Sequence, residues 1–491
     1  MDRTTCQVDQ PREACGLFGL YNVPDPAPII YAGLFALQHR GQEGAGMVVS
    51  DGQRVRQFKG LGLVSQVFAP GTLDSLVGNL GIGHVRYSTT GSSRIQNVQP
   101  IVVECVDGVW AIAHNGNLVN AQALRQSYQE AGAIFQTSTD SEVLVHLLAD
   151  PMFRTRPRRV ARALNELRGA FAFLIMTPDC VMAARDPYGF KPLSIGRLGE
   201  GFVFASETCA LNQVGAGYVR DVAPGGLVVA DSTGLHSSVF ADAPVSGRGG
   251  QCIFESVYFA RPDSRVFGLN VHSVRLQFGE RLADEHPVEA DLVTSVPDSG
   301  NSAAMGFSRR SGIPLDYGFI RNHYVGRTFI MPDQNQRASS VDMKLAVVAD
   351  VVRGKRVVVV DDSIVRGTTA RRRVAALREA GAREVHMRIS CPPIMHPCYF
   401  GIDFATREEL IAARRTVDDI RAYIGADSLG YLSIEGLLAP FGADAGQSFC
   451  QACFSGDYAL DVSRMEGKQA LESGALLLNL DGSVTARRGI S

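Results

Sequence analysis

Two successive α/β domains are expected from this chain, the first made of antiparallel strand layers and the second built on a parallel, doubly wound sheet. Three observations lead there. At 491 residues the chain exceeds what one ordinary hydrophobic core organises. Between Gly169 and Ser206, Phe171, Phe173 and Ile175 alternate with small partners, and the run from Ala184 to Leu193 carries turn residues, as in antiparallel layers. Late in the chain, Val357-Val358-Val359-Val360 reads as a parallel strand buried on both faces. Asp361 and Asp362 follow it, and Gly367-Thr368-Thr369 opens a helix over Ala370 to Ala380.

The bulk numbers narrow the function classes. Hydrophobic content of 45% and charged content of 20% are those of a soluble globular protein. A net charge of −2 gives no reason to expect nucleic acid. Arg154, Arg156, Arg158, Arg159 and Arg162 fit a solvated helix face better than a binding patch. No apolar stretch approaches membrane-spanning length. The first fourteen residues, with Asp2, Arg3, Asp9, Arg12 and Glu13, lack the apolar region of a secretory signal, so a cytoplasmic protein is expected. In that compartment ten cysteines point to metal or catalysis rather than disulfides.

Taken in order, the first candidate is Cys15, which enters the small, apolar, glycine-flanked strand Gly16-Leu17-Phe18-Gly19. Removal of residues 1–14 as a propeptide would leave Cys15 with a free α-amine. Nucleophile and general base would then share one residue, because an α-amine titrates near neutral pH. Taken alone, this Cys is equally well a buried structural thiol. His39, His84 and His114 invite a Cys-His reading, but an α-amine base makes a histidine unnecessary.

Four strings follow: Leu37 to Gly46, His84 to Gly91, His114-Asn115-Gly116-Asn117, and Thr137 to Glu142. Singly, Arg86 suits a surface ion pair, Asp140 a helix cap, and Asn115-Gly116 a hairpin turn. In this order, with Cys15, they resemble the class II glutamine amidotransferase domain, an N-terminal-nucleophile hydrolase with an αββα sandwich of antiparallel sheets. The resemblance covers about the first half. It implies Cys15 as nucleophile, Arg86 as the bidentate fork for the glutamine carboxylate and Asp140 as the partner of its ammonium. The Asn115 amide and the Gly116 backbone N–H would stabilise the oxyanion.

The stretch Ala241 to Gly250, with Pro244, Ser246, Gly247, Gly249 and Gly250, is the linker candidate. It divides a domain over 15–245 from one over 251–462, with a tail over 463–491. In the second half, Val293 to Ser295 reads as a strand ending in the small-residue turn Val296 to Ala303, and Val357 to Thr369 as a strand, two acids and an amide cradle. Other doubly wound proteins carry such acids for Mg²⁺ alone or as helix N-terminal charges. The thirteen-residue string from Val357 resembles the phosphoribosyl diphosphate (PRPP) signature of the type I phosphoribosyltransferases. By that resemblance Ser363, Arg366, Gly367, Thr368 and Thr369 bind PRPP, while Ser299, Asp361 and Asp362 face it and hold Mg²⁺. Arg321 to Ile330, with the polar residues to Arg337, is either an ordinary exposed loop or, by resemblance, a lid that keeps water from the ribosyl centre.

Cys450 and Cys453 form a C-x-x-C pair that Cys252 and either Cys391 or Cys398 complete to a four-thiolate site. Spacing separates neither zinc from iron nor Cys398 from Cys391, and redox use of the pair lacks a surrounding βαβ context. Cys6, Cys105, Cys180 and Cys209 remain as ordinary thiols. Nearly the whole chain resembles the glutamine phosphoribosylpyrophosphate amidotransferase family in its cluster-bearing branch. The resemblance implies a 4Fe-4S cluster on Cys252, Cys398, Cys450 and Cys453, and one Mg²⁺ per subunit. It further implies glutamine and PRPP as substrates in the committing step of purine synthesis, purine nucleotides as feedback inhibitors, and a homotetramer. The alternative is a non-catalytic PRPP-sensing iron-sulfur regulator derived from the same family.

Overall fold

The computed structural model describes residues 15–87, 94–154, 158–241, 248–322, 345–402 and 406–462. The expected propeptide with Cys6, the string Ser88 to Gly91, most of the linker, the lid from His323 onward and the tail after Val462 lie outside the described residues.

Both expected architectures are present. Thirteen strands make two antiparallel sheets: β1 Gly16–Tyr21, β2 Gly44–Ser50, β3 Val55–Leu61, β4 Leu80–Arg86, β5 Ile101–Cys105, β6 Gly108–Leu118, β7 Gly169–Met176, β8 Val181–Arg185, β9 Ser194–Leu198, β10 Gly201–Ala205, β11 Gly217–Asp221, β12 Gly226–Asp231 and β13 Gly234–Val239. One sheet runs β11-β9-β10-β1-β4-β2-β3 and the other β13-β12-β8-β7-β6-β5. Alternation along each strand builds the layers. Leu17 of β1 and Ile82 of β4 meet Ala113 of β6 and Leu174 of β7 between the sheets. Phe18 and Leu20 instead face helix α1 (Pro26–Ala36), whose Ile30 and Leu34 pack on them. Close approach is enforced at Gly33, where a Cβ would stand 2.3 Å from the Phe18 ring. On the far side, Phe171, Phe173 and Ile175 face Val143, Leu144 and Leu147 of α2 (Glu142–Ala149), completing four layers. Each such buried side chain contributes roughly 1.5–3 kcal/mol.

The second domain carries a parallel sheet of β14 Leu292–Ser295, β15 Arg356–Asp361, β16 Glu384–Ile389 and β17 Ser428–Tyr431, in that order across the sheet. Val357 to Val360 are fully buried and paired in parallel on both edges. Helices α3 (Val271–Glu285) and α4 (Asn301–Ser311) pack backbone to backbone: a Cβ on Gly279 would lie 1.9 Å from the Ala303 carbonyl oxygen. Helix α5 begins at Thr368 and runs to Glu379, two residues earlier than the sequence suggests. Gly367, at φ 80°, forms its N-cap, so Thr368 and Thr369 belong to the first turn.

Two local expectations change. Asn115-Gly116 is no turn; it sits inside the continuous strand β6. Of the basic run, Arg158 and Arg162 are exposed, but Arg159 pairs with Asp107 at 2.8 Å and lies over the Trp110 ring.

The two domains interlock well beyond their linker. The Ser264 hydroxyl donates to Glu207 at 2.7 Å. The Asn117 amide donates to the Tyr399 carbonyl at 2.9 Å, and Phe190 stacks on Phe400 with centroids 4.3 Å apart.

Candidate active sites

The first site forms where β1, β4 and β6 converge between the sheets. Gly16 stands opposite Val85, which sets Cys15 beside Arg86 at the ends of β1 and β4. The Cys15 thiol points at the Tyr87 carbonyl, 3.6 Å away. Burial pushes this thiol up to about 11, against the lowering effects of the Tyr87 contact and the Arg86 charge. A protonated thiol therefore needs a base before it attacks. Arg86 is buried, as is Asp140, whose Oδ2 accepts the Leu118 N–H at 2.9 Å. Burial raises Asp140, yet His114 beside it and bonds from Leu118 and Ser141 hold its carboxyl below the usual range. Its side chain caps no helix. The Asn115 side chain is fully buried, and neither its oxygen nor its nitrogen has a partner among the described residues. An orphaned amide in a dry site is costly unless a ligand satisfies it. Next to it Gly116 adopts φ 147°, and a Cβ there would fall 2.0 Å from the Ala170 carbonyl oxygen.

Each of the three histidines has a hydrogen-bond partner other than Cys15. The His84 Nε2–H donates to the His114 carbonyl, 3.1 Å away, and burial presses His84 down to about 3. His114 Nδ1 meets the Ser141 hydroxyl at 2.9 Å, and His39 Nε2 lies 2.7 Å from Glu207. Sequence reasoning overlooked Arg40, whose Nε donates to the Cys15 carbonyl at 3.4 Å while its fork binds Glu207 and Glu255.

The second site lies at the carboxyl end of β15, where open α/β sheets bind ligands. Asp361 and Asp362 are buried there; the Ser299 hydroxyl donates to Asp362 Oδ1 at 2.5 Å, and Ser363 donates to its other oxygen. Arg373 from α5 pairs with Asp361. Burial and the adjacent Asp362 push Asp361 up to about 7, while Arg373 pulls it down. Two acids and a hydroxyl at one point form an oxygen-only donor set that suits Mg²⁺. Beside them a cleft is lined by Ser363, Ile364, Thr369 and Arg373 at the start of α5. Arg366 pairs with Glu409 at 3.0 Å at its rim. Gly367 holds φ 80°, which strains an L side chain, and a Cβ there would also crowd the tip of Ile411 at 2.8 Å.

The four expected cluster cysteines also come together. Cys252 faces Cys450 in a parallel pair of Gln251–Cys252 with Phe449–Cys450, Cys453 follows in the next turn, and the backbone N–H groups of Met395 and His396 donate to the Cys453 carbonyl, drawing in the Cys398 segment. Burial raises all four thiols, Cys450 to about 12, and each lies within electrostatic reach of others in the group. Lys191, fully buried, pulls Cys252, Cys398 and Cys450 back down. Cys391 lies toward Asp361 and Asp362 and also within electrostatic reach of Cys453. Among the described residues no three His, Cys, Asp or Glu side chains are arranged to grip a single metal ion. Cys209 is buried, while Cys105 and Cys180 are half-buried.

Comparison with known proteins draws the two sites together. A glutamine amidotransferase domain family matches residues 84–213. Amidophosphoribosyltransferase of Bacillus subtilis is 50% identical over 454 residues, covering 92% of this chain and 95% of its own. The enzyme of the same name from Methanocaldococcus jannaschii is 49% identical over 465 residues, covering 91% and 98%. The chain belongs to the amidophosphoribosyltransferase family. Among solved structures, the glutamine PRPP amidotransferase of B. subtilis complexed with ADP and GMP superposes with a TM-score of 0.85 at 49% identity, over 92% of this chain and 98% of that one. Another, described as the allosteric regulatory enzyme of purine biosynthesis, gives 0.86 at 50% identity, over 92% and 97%.

Membership in the amidophosphoribosyltransferase family makes the chain a catalyst and sets aside the non-catalytic regulator. The matched domain spans Arg86, Asn115, Gly116 and Asp140; Cys15 precedes it. No helix among the described residues is long and apolar enough to cross a membrane.

Proposed function

We propose that this chain carries out the amidophosphoribosyltransferase reaction with Cys15 as nucleophile and the loop from Asp361 to Thr369 as the PRPP cradle. Cleavage before Cys15 would free its α-amine, which takes the thiol proton. The thiolate then attacks the glutamine side-chain carbonyl while Arg86 holds the α-carboxylate and Asp140 the α-ammonium. Negative charge developing on the carbonyl oxygen passes to the Asn115 amide and the Gly116 N–H. Collapse of the tetrahedral adduct releases ammonia, and water cleaves the thioester to glutamate. Ammonia passing internally displaces diphosphate from C1 of PRPP and gives 5-phosphoribosylamine. The first-turn amides after Gly367 hold the 5-phosphate, Arg366 and Ser363 flank it, and Asp361, Asp362 and Ser299 would hold Mg²⁺. When bound, the metal neutralises charge on the departing diphosphate.

Further proposals stand beside this reading. The domains span 15–245 and 251–462, with a C-terminal tail after them. Cys252, Cys398, Cys450 and Cys453 hold a 4Fe-4S cluster, a reading supported by four buried thiols that lie within electrostatic reach of one another. With every thiolate engaged, such a cluster staples the last segment rather than reacts. The enzyme is a cytoplasmic homotetramer inhibited by purine nucleotides, in keeping with the ADP and GMP bound to its B. subtilis relative.

The observation that carries the reading is the unpartnered, buried Asn115 side chain beside Cys15, Arg86 and Asp140. The test is glutamate release by anaerobically purified protein, with and without PRPP and Mg²⁺, counting diphosphate in the same tube. Glutamate rising in step with diphosphate supports both sites. Release indifferent to PRPP, or persisting in Cys15→Ala, would sink the assignment.

A further inference from the structure

A charged residue of the second domain lies inside the support of the first domain's nucleophile. The side chains of Arg40, Glu207 and Glu255 have no solvent exposure. Arg40 Nη1 donates to Glu207 Oε1 at 2.6 Å and to Glu255 Oε2 at 3.0 Å, and Nη2 donates to Glu255 Oε1 at 2.8 Å. The fork is thus gripped by both oxygens of Glu255, the geometry that fixes a guanidinium plane most firmly. With the fork fixed, Nε is aimed at the Cys15 carbonyl. Glu207 has other donors to keep it in place: His39, the Arg261 N–H at 2.9 Å and the Ser264 hydroxyl at 2.7 Å.

We propose that Glu255 is a positioning residue for the glutaminase reaction: by clamping Arg40 it sets the Cys15 backbone, and hence the thiol and its α-amine, in the attacking geometry. The inference rests on Cys15 being the nucleophile. Glu255 is well placed to report on the second domain. It begins the turn Glu255–Phe259, three residues after Cys252, and that turn is held by Arg275, whose guanidinium donates to the Ser256 carbonyl at 2.8 Å and the Ala260 carbonyl at 2.9 Å. Arg275 lies in turn within electrostatic reach of Asp362. Buried hydrogen bonds therefore tie the Glu255–Phe259 turn both to Arg275, which feels the charge of Asp362, and through Arg40 to Cys15. Neutralising Glu255 weakens the two-point grip on the fork that aims Nε at the carbonyl.

The test compares Glu255→Gln with wild type in the full-length mature enzyme. Three rates are read: glutamine turnover, alkylation of Cys15 by a glutamine-analogue diazoketone, and 5-phosphoribosylamine formation from free ammonia. A misplaced reacting group costs up to about 100-fold. The expected result is a fall of about 10- to 100-fold in glutamine kcat and in alkylation rate, with KM for glutamine and the ammonia-dependent rate unchanged. If Glu255→Gln does not fold, Glu255→Asp replaces it; it keeps the charge, cannot span the fork, and should show the same split. Wild-type alkylation and turnover in the folded variant would overturn the proposal, as would an equal fall in both sites' activities. Label landing elsewhere than Cys15 in the wild type would instead overturn the nucleophile assignment.

Discussion

Replacing Gly116 with alanine should separate the two chemistries of this enzyme. At φ 147° an L side chain is strained, by about 1–3 kcal/mol. Its Cβ would also stand 2.0 Å from the Ala170 carbonyl oxygen and 2.7 Å from its carbon. These are backbone atoms of β7, which pairs with β6 at Gly116 and Phe171, so no side chain can rotate away to make room. Overpacking of this kind costs about 1–3 kcal/mol, which brings the total to roughly 2–6 kcal/mol. Relief requires β6 to move off β7, and the proposed oxyanion donors Asn115 and Gly116 move with it. Loss of one such donor is worth about 10²- to 10³-fold in kcat. The assay follows product formation from glutamine and from free ammonia on one preparation, beside thermal unfolding. Glutamine-dependent activity should fall at least about 100-fold, the ammonia-dependent rate should persist, and the unfolding temperature should drop. A Gly116→Ala enzyme turning over glutamine at the wild-type rate would refute the reasoning.

Other perturbations address the remaining elements. Asp362→Asn, or chelation of Mg²⁺ by EDTA, should abolish ammonia-dependent product formation while Cys15 still reacts with the diazoketone; labelling lost in parallel would count against separate sites. Gly367→Ala places a Cβ 2.8 Å from Ile411 at a φ of 80°, so the KM for PRPP should rise with basal glutamine hydrolysis unchanged. Burial raises Glu207, but His39, Arg40 and Ser264 outweigh it and hold its carboxyl below the ordinary glutamate value of about 4.3. A depressed carboxyl contributes its full stability above the unfolded value and loses it as pH falls toward the folded one. Chemical denaturation should therefore show stability falling below about pH 4, with a shallower acid limb in Glu207→Gln; equal slopes would discount the pairing. Cys453→Ser should lower iron content in anaerobic preparations and increase proteolysis of the C-terminal segment, whereas unchanged iron would remove it from the ligand set.

What could be read in the sequence was what the chain writes contiguously. Val357 to Val360 announce a two-sided buried strand, and the acids and Thr369 after them line one cleft, so the fold and the proposed cradle follow from a single string. Cys15, Arg86, Asn115 and Asp140 were legible through their motifs, although no local rule gives their convergence: it depends on β1, β4 and β6 coming together across two sheets. The start of α5 was misplaced because Gly367, at positive φ, caps the helix and recruits both threonines. Arg40, Glu207 and Glu255 escaped notice, since partners 167 and 215 residues apart are joined only by tertiary packing. One clue was available. In Cys252-Ile253-Phe254-Glu255 a carboxylate ends an apolar run, and a buried acid requires a buried cation.

The interlock between halves also bears on timing during synthesis. Arg40 emerges from the ribosome long before Glu255. The Tyr399 carbonyl that receives Asn117 comes later still, and the strand pairing Cys252 with Cys450 closes only near the end. At roughly 5–20 residues per second, Glu255 follows the last strand of the sandwich within a few seconds, whereas Tyr399 and Cys450 follow it by roughly eight seconds or more. The Glu255 clamp on Arg40 is therefore available before the strands of the parallel sheet, β14 to β17, have been made.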